Sequence, residues 1–276
     1  MINFNTDNLV IVYYPRGAGG KFLINCLGLS HTSLFQDAIL AEKQIDGIFN
    51  LEDKMQYLID QFSKITPDSG WNDLNLGCIQ LTKISPENLL LLPTKLIKKY
   101  NLFDPRFKKI SDSNFKFFMV AHYPLQLEKY LDIWPNAKII IFKNNEDFIN
   151  FRNNSKELER VWDIYKGDSW PRSYPGNLIN LSENLIEEIK IKCPYLYYEL
   201  SIDTANTIYY NQKIKRIKNS KLKNQIIFWD TNLYFSCDDT VNRIEQLYNE
   251  LALTNFNREY IMKYYNLWIN KLIQLK

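Results

Sequence analysis

The chain has 276 residues, 46% hydrophobic, 24% charged and 14% aromatic, with 34 Lys and Arg against 31 Asp and Glu for a formal charge of +3. That length supports a full core, and the composition is that of a globular protein, which excludes disordered, collagen-like and coiled-coil chains. So small a cationic surplus is no footprint for nucleic acid, and any anion site must be local.

No apolar run reaches the roughly 18 residues of a spanning helix. The first residues, Met1 to Asn8, lack the basic-then-apolar pattern of a secretory signal, so a cytoplasmic protein with no membrane span is expected. Cys26, Cys78, Cys193 and Cys237 are scattered without metal-binding spacing and read as free, mostly buried thiols.

In chain order, residues 8–14 (Asn-Leu-Val-Ile-Val-Tyr-Tyr) predict a strand buried on both faces. After Pro15 come Arg16, Gly17, Ala18, Gly19 and Gly20, and then Lys21 to Leu27 opens a helix. Helices are expected around 33–45 and 50–64, the second with Leu51, Met55, Leu58, Ile59 and Phe62 at helical spacing. Prolines 67, 86, 93 and 105 interrupt 66–114, which reads as mixed helix and loop. Strands are expected at 115–121, 137–142 and 226–230, with a helix at 126–134 and two closing helices at about 238–252 and 258–275. The last of these carries Tyr260, Ile261, Tyr264, Trp268 and Leu272 as an apolar stripe of the kind that packs a core. Strands alternating with helices imply an α/β fold with a central, mostly parallel sheet flanked by helices. No repeat or linker divides the chain, so one domain spanning 1–276 is expected, with helical insertions at about 31–114 and 155–225.

Three of only nine glycines, Gly17, Gly19 and Gly20, fall within four positions. Glycines let the backbone approach a ligand closely, a helix N-terminus presents N–H groups, and Arg16 and Lys21 add charge, so the loop reads as a phosphate or sulfate cradle. The competing reading is a tight strand-to-helix turn. Against the nucleotide-triphosphatase pattern GxxxxGK[ST], Gly20 and Lys21 fit, but Pro15 replaces the first glycine and Phe22 the hydroxyl that holds Mg²⁺. The loop therefore predicts an anion site that works without metal.

Tyr14 to Phe22 resembles the 5′-phosphosulfate loop of the sulfotransferases that use 3′-phosphoadenosine 5′-phosphosulfate (PAPS), whose loop is of the Pro-Lys-Ser-Gly-Thr-Thr-Trp-Leu type. Ala121-His122-Tyr123-Pro124 is similar to that family's Thr-His-Leu-Pro segment after a later strand, and Ile139 to Asp147 is similar to its strand running into Arg-Asn-Pro-x-Asp. The resemblance implies a three-layer P-loop-type domain and sulfuryl transfer from PAPS to a hydroxyl or amine of a small molecule or carbohydrate, with no metal. It makes His122 the general base, with Arg16 and Lys21 assisting catalysis. It assigns Arg16, Gly17, Ala18, Gly19, Gly20, Lys21 and Phe22 to the phosphosulfate and Lys143 to the 3′-phosphate. The family's serine eight positions after that cation is Phe151 here, with Arg152 and Ser155 as the nearest substitutes, and Asn145 stands for its proline.

Lys213, Lys215, Arg216, Lys218, Lys221 and Lys223 form the strongest charge run, either a solvated surface segment or, functionally, a lid over the nucleotide, a contact for an anionic acceptor such as a polysaccharide, or a contact for RNA. Trp162, Trp170, Pro171, Tyr174 and the tyrosines of 195–210 suit stacking on sugar rings or core packing alike. His31 reads as a loop or capping residue. Two other readings stand beside the transferase: a P-loop kinase or hydrolase, for which Asp230 is the candidate Mg²⁺ ligand, and a non-catalytic nucleotide- or glycan-binding protein.

Overall fold

Five consecutive apolar residues, all buried, make β1 (Leu9–Tyr13) the middle of a five-stranded sheet in a computed structural model of the chain. The structure describes residues 8–14, 18–33, 43–44, 46–48, 50–63, 78–80, 116–121, 136–143, 178, 183–195, 197–198, 200–202, 204–205, 208, 212 and 225–274. The other strands are β2 (Cys78–Gln80), β3 (Phe117–Ala121), β4 (Lys138–Lys143) and β5 (Ile226–Asp230). Their order is β2-β3-β1-β4-β5, and every pairing is parallel. The fold is therefore α/β, with the parallel sheet expected from the strand and helix alternation.

Register follows from the apolar pattern. β1 lies between β3 and β4, with Tyr13 opposite Ala121 on one side and Ile141 on the other. β4 buries Ile139, Ile140, Ile141 and Phe142 and leaves a lysine half-buried at each end, so its length is set by where charge interrupts the run. β2 corrects the expectation for 66–114, where mixed helix and loop was read. Cys78-Ile79-Gln80 is too short to display alternation, and it is a strand because it pairs with Phe118 to Val120 of β3.

The described helices are α1 (Gly20–Gly28), α2 (Leu51–Ser63), α3 (Glu183–Lys192), α4 (Cys237–Glu250) and α5 (Arg258–Gln274). The expected helices at 50–64, 238–252 and 258–275 are thus α2, α4 and α5. The expected helix at 126–134 and most of that at 33–45 lie outside the described residues, whereas α3 falls within the helical insertion expected at about 155–225, in which the sequence delimits no individual helix. A 3₁₀ turn, Thr231–Phe235, joins β5 to α4, with the Asp230 carboxylate accepting the Asn232 N–H at 3.0 Å. Ser236 then caps α4 by accepting the Asp239 N–H.

α1 is buried along its length except at Lys21, as a helix apolar all round must be. Each large side chain it buries contributes roughly 1.5–3 kcal/mol. Its carboxyl end is closed by polar groups from distant segments. Tyr248 donates to the Cys26 carbonyl at 2.8 Å, and Ser30 donates to the Thr254 carbonyl at 2.9 Å. The Lys54 ammonium, 1% exposed, donates to the carbonyls of Gly28, Ser30 and Ser33 at 3.0, 2.6 and 2.8 Å. Cys26 is a buried free thiol, and its burial raises its pKa, while Cys193 and Cys237 are free and half-buried.

A second, smaller cluster lies apart from this core. Ile189 and Leu200 are buried together, with Leu178, Leu185, Ile186, Cys193 and Tyr197 packed against them.

Candidate functional site

The strand order reverses direction around β1, with β2 and β3 on one side and β4 and β5 on the other. In open parallel sheets such a reversal leaves a crevice at the carboxyl ends of the strands, the usual place for a ligand. The chain leaves β1 at that edge and enters the glycine cluster. It leaves β3 at the same edge after Ala121, which pairs with Tyr13. β4 runs two residues past the partner of Tyr13 to Lys143, which pairs with Asp230 of β5. The register thus brings the ends of three sequence-predicted segments to one edge of the sheet.

Gly19 is the N-cap of α1 and sits in the left-handed region at φ 74°, ψ 15°, without a side chain to cap the helix. Its carbonyl accepts the Phe22 N–H at 3.0 Å, which closes the first turn. No acidic residue lies in that turn, and Lys21 does, so nothing in it offsets the positive end of the helix dipole. An anion ahead of the helix would meet both the dipole and the lysine.

Both described glycines of the cluster also have packing reasons. A Cβ on Gly19 would lie 2.8 Å from a ring carbon of Tyr234, and one on Gly20 would lie 2.2 Å from ring carbons of Tyr14. The glycines let the start of α1 sit directly on two tyrosines. The Tyr234 hydroxyl donates to the Gly19 carbonyl at 3.0 Å, and the Tyr265 hydroxyl donates to the Tyr234 carbonyl at 2.7 Å. Burial holds the Tyr234 phenol well above its ordinary pKa, so it remains a proton donor.

Phe22, 1% exposed, turns its ring away from the crevice into an aromatic core. It stacks on Trp268 at 4.5 Å and on Tyr264 at 5.4 Å and meets Tyr234 edge-on at 5.6 Å. The position that carries a metal-holding hydroxyl in triphosphatases is here occupied by a core side chain. Asp230, the candidate metal ligand of the kinase reading, caps the 3₁₀ turn. Among the described residues no group of three His, Cys, Asp or Glu is placed to hold a metal ion.

Of the remaining residues singled out in the sequence, Ala18 is buried and Lys21 half-buried. The Lys143 ammonium lies 5.4 Å from the centre of the Phe228 ring, and its backbone carbonyl accepts the Thr231 hydroxyl at 3.1 Å. This places a cation at the end of β4 and fixes the backbone that carries it. His31 is exposed in the turn after α1, where its carbonyl accepts the Gln44 amide. Arg16, Gly17, His122, Phe151, Arg152 and Ser155 lie outside the described residues, as do the basic run 213–223 and Trp162, Trp170, Pro171 and Tyr174.

Sequence reasoning missed Tyr234 and Lys54. Tyr234 is 215 residues from the glycine that it contacts and belongs to no periodic pattern. Lys54 had a faint signal, a lysine four residues before Leu58 on the apolar stripe of α2.

Comparison of the chain with models of known protein families, with curated proteins and with solved structures finds no match. Among the described residues no helix is long and apolar enough to cross a membrane.

Proposed function

We propose that the chain is a PAPS-dependent sulfotransferase with a three-layer P-loop-type fold. The observation that carries this reading is the register at the carboxyl edge. The glycine loop after β1, the residue following Ala121 and the cation ending β4 follow strands that are immediate neighbours. A phosphosulfate anhydride with a separate 3′-phosphate needs this distribution, with donors at a helix N-terminus for one anion and a cation a strand away for the other. The burial of Phe22 supports a site that takes its charge compensation from amides, Arg16 and Lys21.

In this mechanism the acceptor oxygen or nitrogen attacks sulfur in line with the departing phosphate oxygen. The new bond to sulfur forms as the bond between sulfur and that oxygen breaks. The electron pair leaves with 3′,5′-adenosine bisphosphate, and the acceptor's proton goes to His122. A neutral imidazole with a pKa near 6.5 suits that task at neutral pH. Lys21 and the first-turn amides stabilise the charge that grows on the leaving phosphate, and Lys143 holds the 3′-phosphate.

Thermal unfolding with 3′,5′-adenosine bisphosphate, and separately with ATP and Mg²⁺, tests the reading. Ligand at about 100 times its Kd stabilises by roughly 2.7 kcal/mol, and each kcal/mol moves Tm by about 2–4 °C at this size. The expected result is a shift with the bisphosphate that EDTA leaves intact. A shift confined to ATP with Mg²⁺ overturns the reading in favour of a kinase or hydrolase. His122→Ala is expected to keep bisphosphate binding and lose transfer. Lys143→Gln is expected to lower affinity for the bisphosphate toward that for adenosine 5′-monophosphate.

A further inference from the structure

Two donors meet at the Gly19 carbonyl, and α5 backs both of them. The carbonyl accepts the Phe22 N–H at 3.0 Å from within α1 and the Tyr234 hydroxyl at 3.0 Å from the 3₁₀ turn after β5. From α5, Trp268 stacks on the Phe22 ring at 4.5 Å and meets the Tyr234 ring at 4.8 Å, and Tyr265 meets the Phe22 ring edge-on at 6.0 Å. The Tyr265 hydroxyl also donates to the Tyr234 carbonyl at 2.7 Å, a buried bond. Burial pushes the Tyr265 phenol up to about 12, so it remains a donor at neutral pH.

That bond acts on a turn whose carbonyls are held from outside it. Thr240 of α4 donates to the Leu233 carbonyl, and Tyr265 of α5 donates to the next carbonyl, that of Tyr234. Fixing the Tyr234 peptide fixes where its side chain begins. At the far end of that side chain the fit is close, since a Cβ on Gly19 would lie 2.8 Å from the ring. The Gly19 carbonyl and the Gly20 N–H share one peptide plane and point in opposite directions. Holding the carbonyl therefore aims that N–H out of the start of α1, where an anion would meet it.

Tyr264 provides the contrast. It neighbours Tyr265 on α5, is buried and stacks on Phe22 at 5.4 Å, but its hydroxyl accepts the Asn25 amide N–H at 2.9 Å, beyond the first turn of α1. The two adjacent tyrosines hold different parts of the same helix.

We propose that Tyr265 is a positioning residue for the anion end of α1, acting through Tyr234 on the Gly19 peptide, so that α5 sets the direction of the first N–H groups of α1. The consequence for ligand affinity rests on the transferase reading, whereas the consequence for the start of α1 does not.

Amide hydrogen exchange of the ligand-free full chain tests the relay, and titration with 3′,5′-adenosine bisphosphate tests its consequence. Tyr265→Phe deletes one hydroxyl and keeps the ring. In that variant, exchange of the Phe22 N–H is expected to rise at least about fivefold relative to that of the Leu29 N–H, which bonds the Asn25 carbonyl at the other end of α1. The Kd for the bisphosphate is expected to rise about threefold to fivefold in Tyr265→Phe and to stay at the wild-type value in Tyr264→Phe. Tyr265→Phe is expected to add nothing to Tyr234→Phe, because the two hydroxyls act in one chain. An unchanged ratio of Phe22 to Leu29 exchange overturns the relay, as does an equal rise in Kd in Tyr264→Phe or full additivity with Tyr234→Phe. A wild type that binds no bisphosphate overturns the transferase reading instead, and the exchange ratio then decides the relay by itself.

Discussion

The Tyr234 hydroxyl donates to the carbonyl of Gly19 at 3.0 Å, so the residue that starts α1 in the left-handed conformation is held by a tyrosine from the turn after β5. Fixing that carbonyl fixes the peptide plane that leads into the first turn, and with it the direction of the first-turn amides. Tyr248 makes the same kind of bond to the other end of α1, at Cys26. The two tyrosines form a matched pair, one at the anion end and one remote from it. Tyr234→Phe and Tyr248→Phe are each expected to cost about 1–2 kcal/mol in chemical unfolding. Only Tyr234→Phe is expected to weaken bisphosphate binding, by about fivefold to tenfold, an effect of about 1–1.4 kcal/mol. Equal affinity losses in the two variants would show that Tyr234 acts through stability alone.

Gly20→Ala tests whether the glycine cluster serves close packing. Alanine is the better helix former by about 1 kcal/mol, but its Cβ would lie 2.2 Å from the Tyr14 ring. Overpacking of this kind costs about 1–3 kcal/mol, and Tyr14 is itself buried against Phe142, so the clash is expected to win. Urea unfolding should show net destabilisation. Combining Gly20→Ala with Tyr14→Leu should recover part of it, a non-additivity that a purely local propensity effect would lack.

Phe22→Ser places the triphosphatase hydroxyl into this loop. The ring it deletes stacks on Trp268 and on Tyr264, and losing a buried phenylalanine costs about 3–5 kcal/mol. The variant is expected to unfold at markedly lower urea, with altered Trp268 fluorescence, and to hydrolyse ATP with Mg²⁺ no faster than wild type. Magnesium-dependent hydrolysis in Phe22→Ser at wild-type stability would contradict the inward placement of this side chain.

Lys54 makes stability depend on pH. Burial pushes its ammonium down to about 7, against an ordinary value near 10.5. Between those values the unfolded chain holds a proton that the folded chain has released, so stability rises with pH across that window. Below about pH 7 both states are charged and the burial cost is present in full. Lys54→Met removes that cost but strips the carbonyls of Gly28, Ser30 and Ser33 of their donor, at about 1–3 kcal/mol for each carbonyl left without one. The variant's loss of stability relative to wild type is therefore expected to be larger at pH 9 than at pH 6. Urea titrations at the two pH values measure it, and a pH-independent difference would place the lysine's titration outside this window.

The strands at 8–14, 115–121 and 137–142 were legible because central parallel strands must be apolar on both faces, which a largely apolar run announces in one dimension, and β5 at the end of the order shows the same kind of short apolar run in Ile226 to Trp229. α2, α4 and α5 were legible through their 3.6-residue periodicity. β2 was not, since three residues contain no period and only Phe118 to Val120 make them a strand. α3 lies in the expected helical insertion at 155–225, but its bounds were not legible because apolar residues on both its faces, Ile189 inward and Ile191 outward, blur the stripe by which a surface helix is recognised.

At the site the balance differs. The sequence by itself determined that a glycine-rich turn with flanking cations lies between a strand and a helix, and that Phe22 stands where a metal-holding hydroxyl would. Chemistry encoded in contiguous residues is visible without the fold. Only the tertiary structure decided which strand ends are neighbours, that Gly19 and Gly20 are required by Tyr234 and Tyr14, and that Lys54 is buried beneath α1. Those facts depend on contacts between residues up to 215 positions apart, and a linear pattern carries no record of which distant side chain will fill a given space.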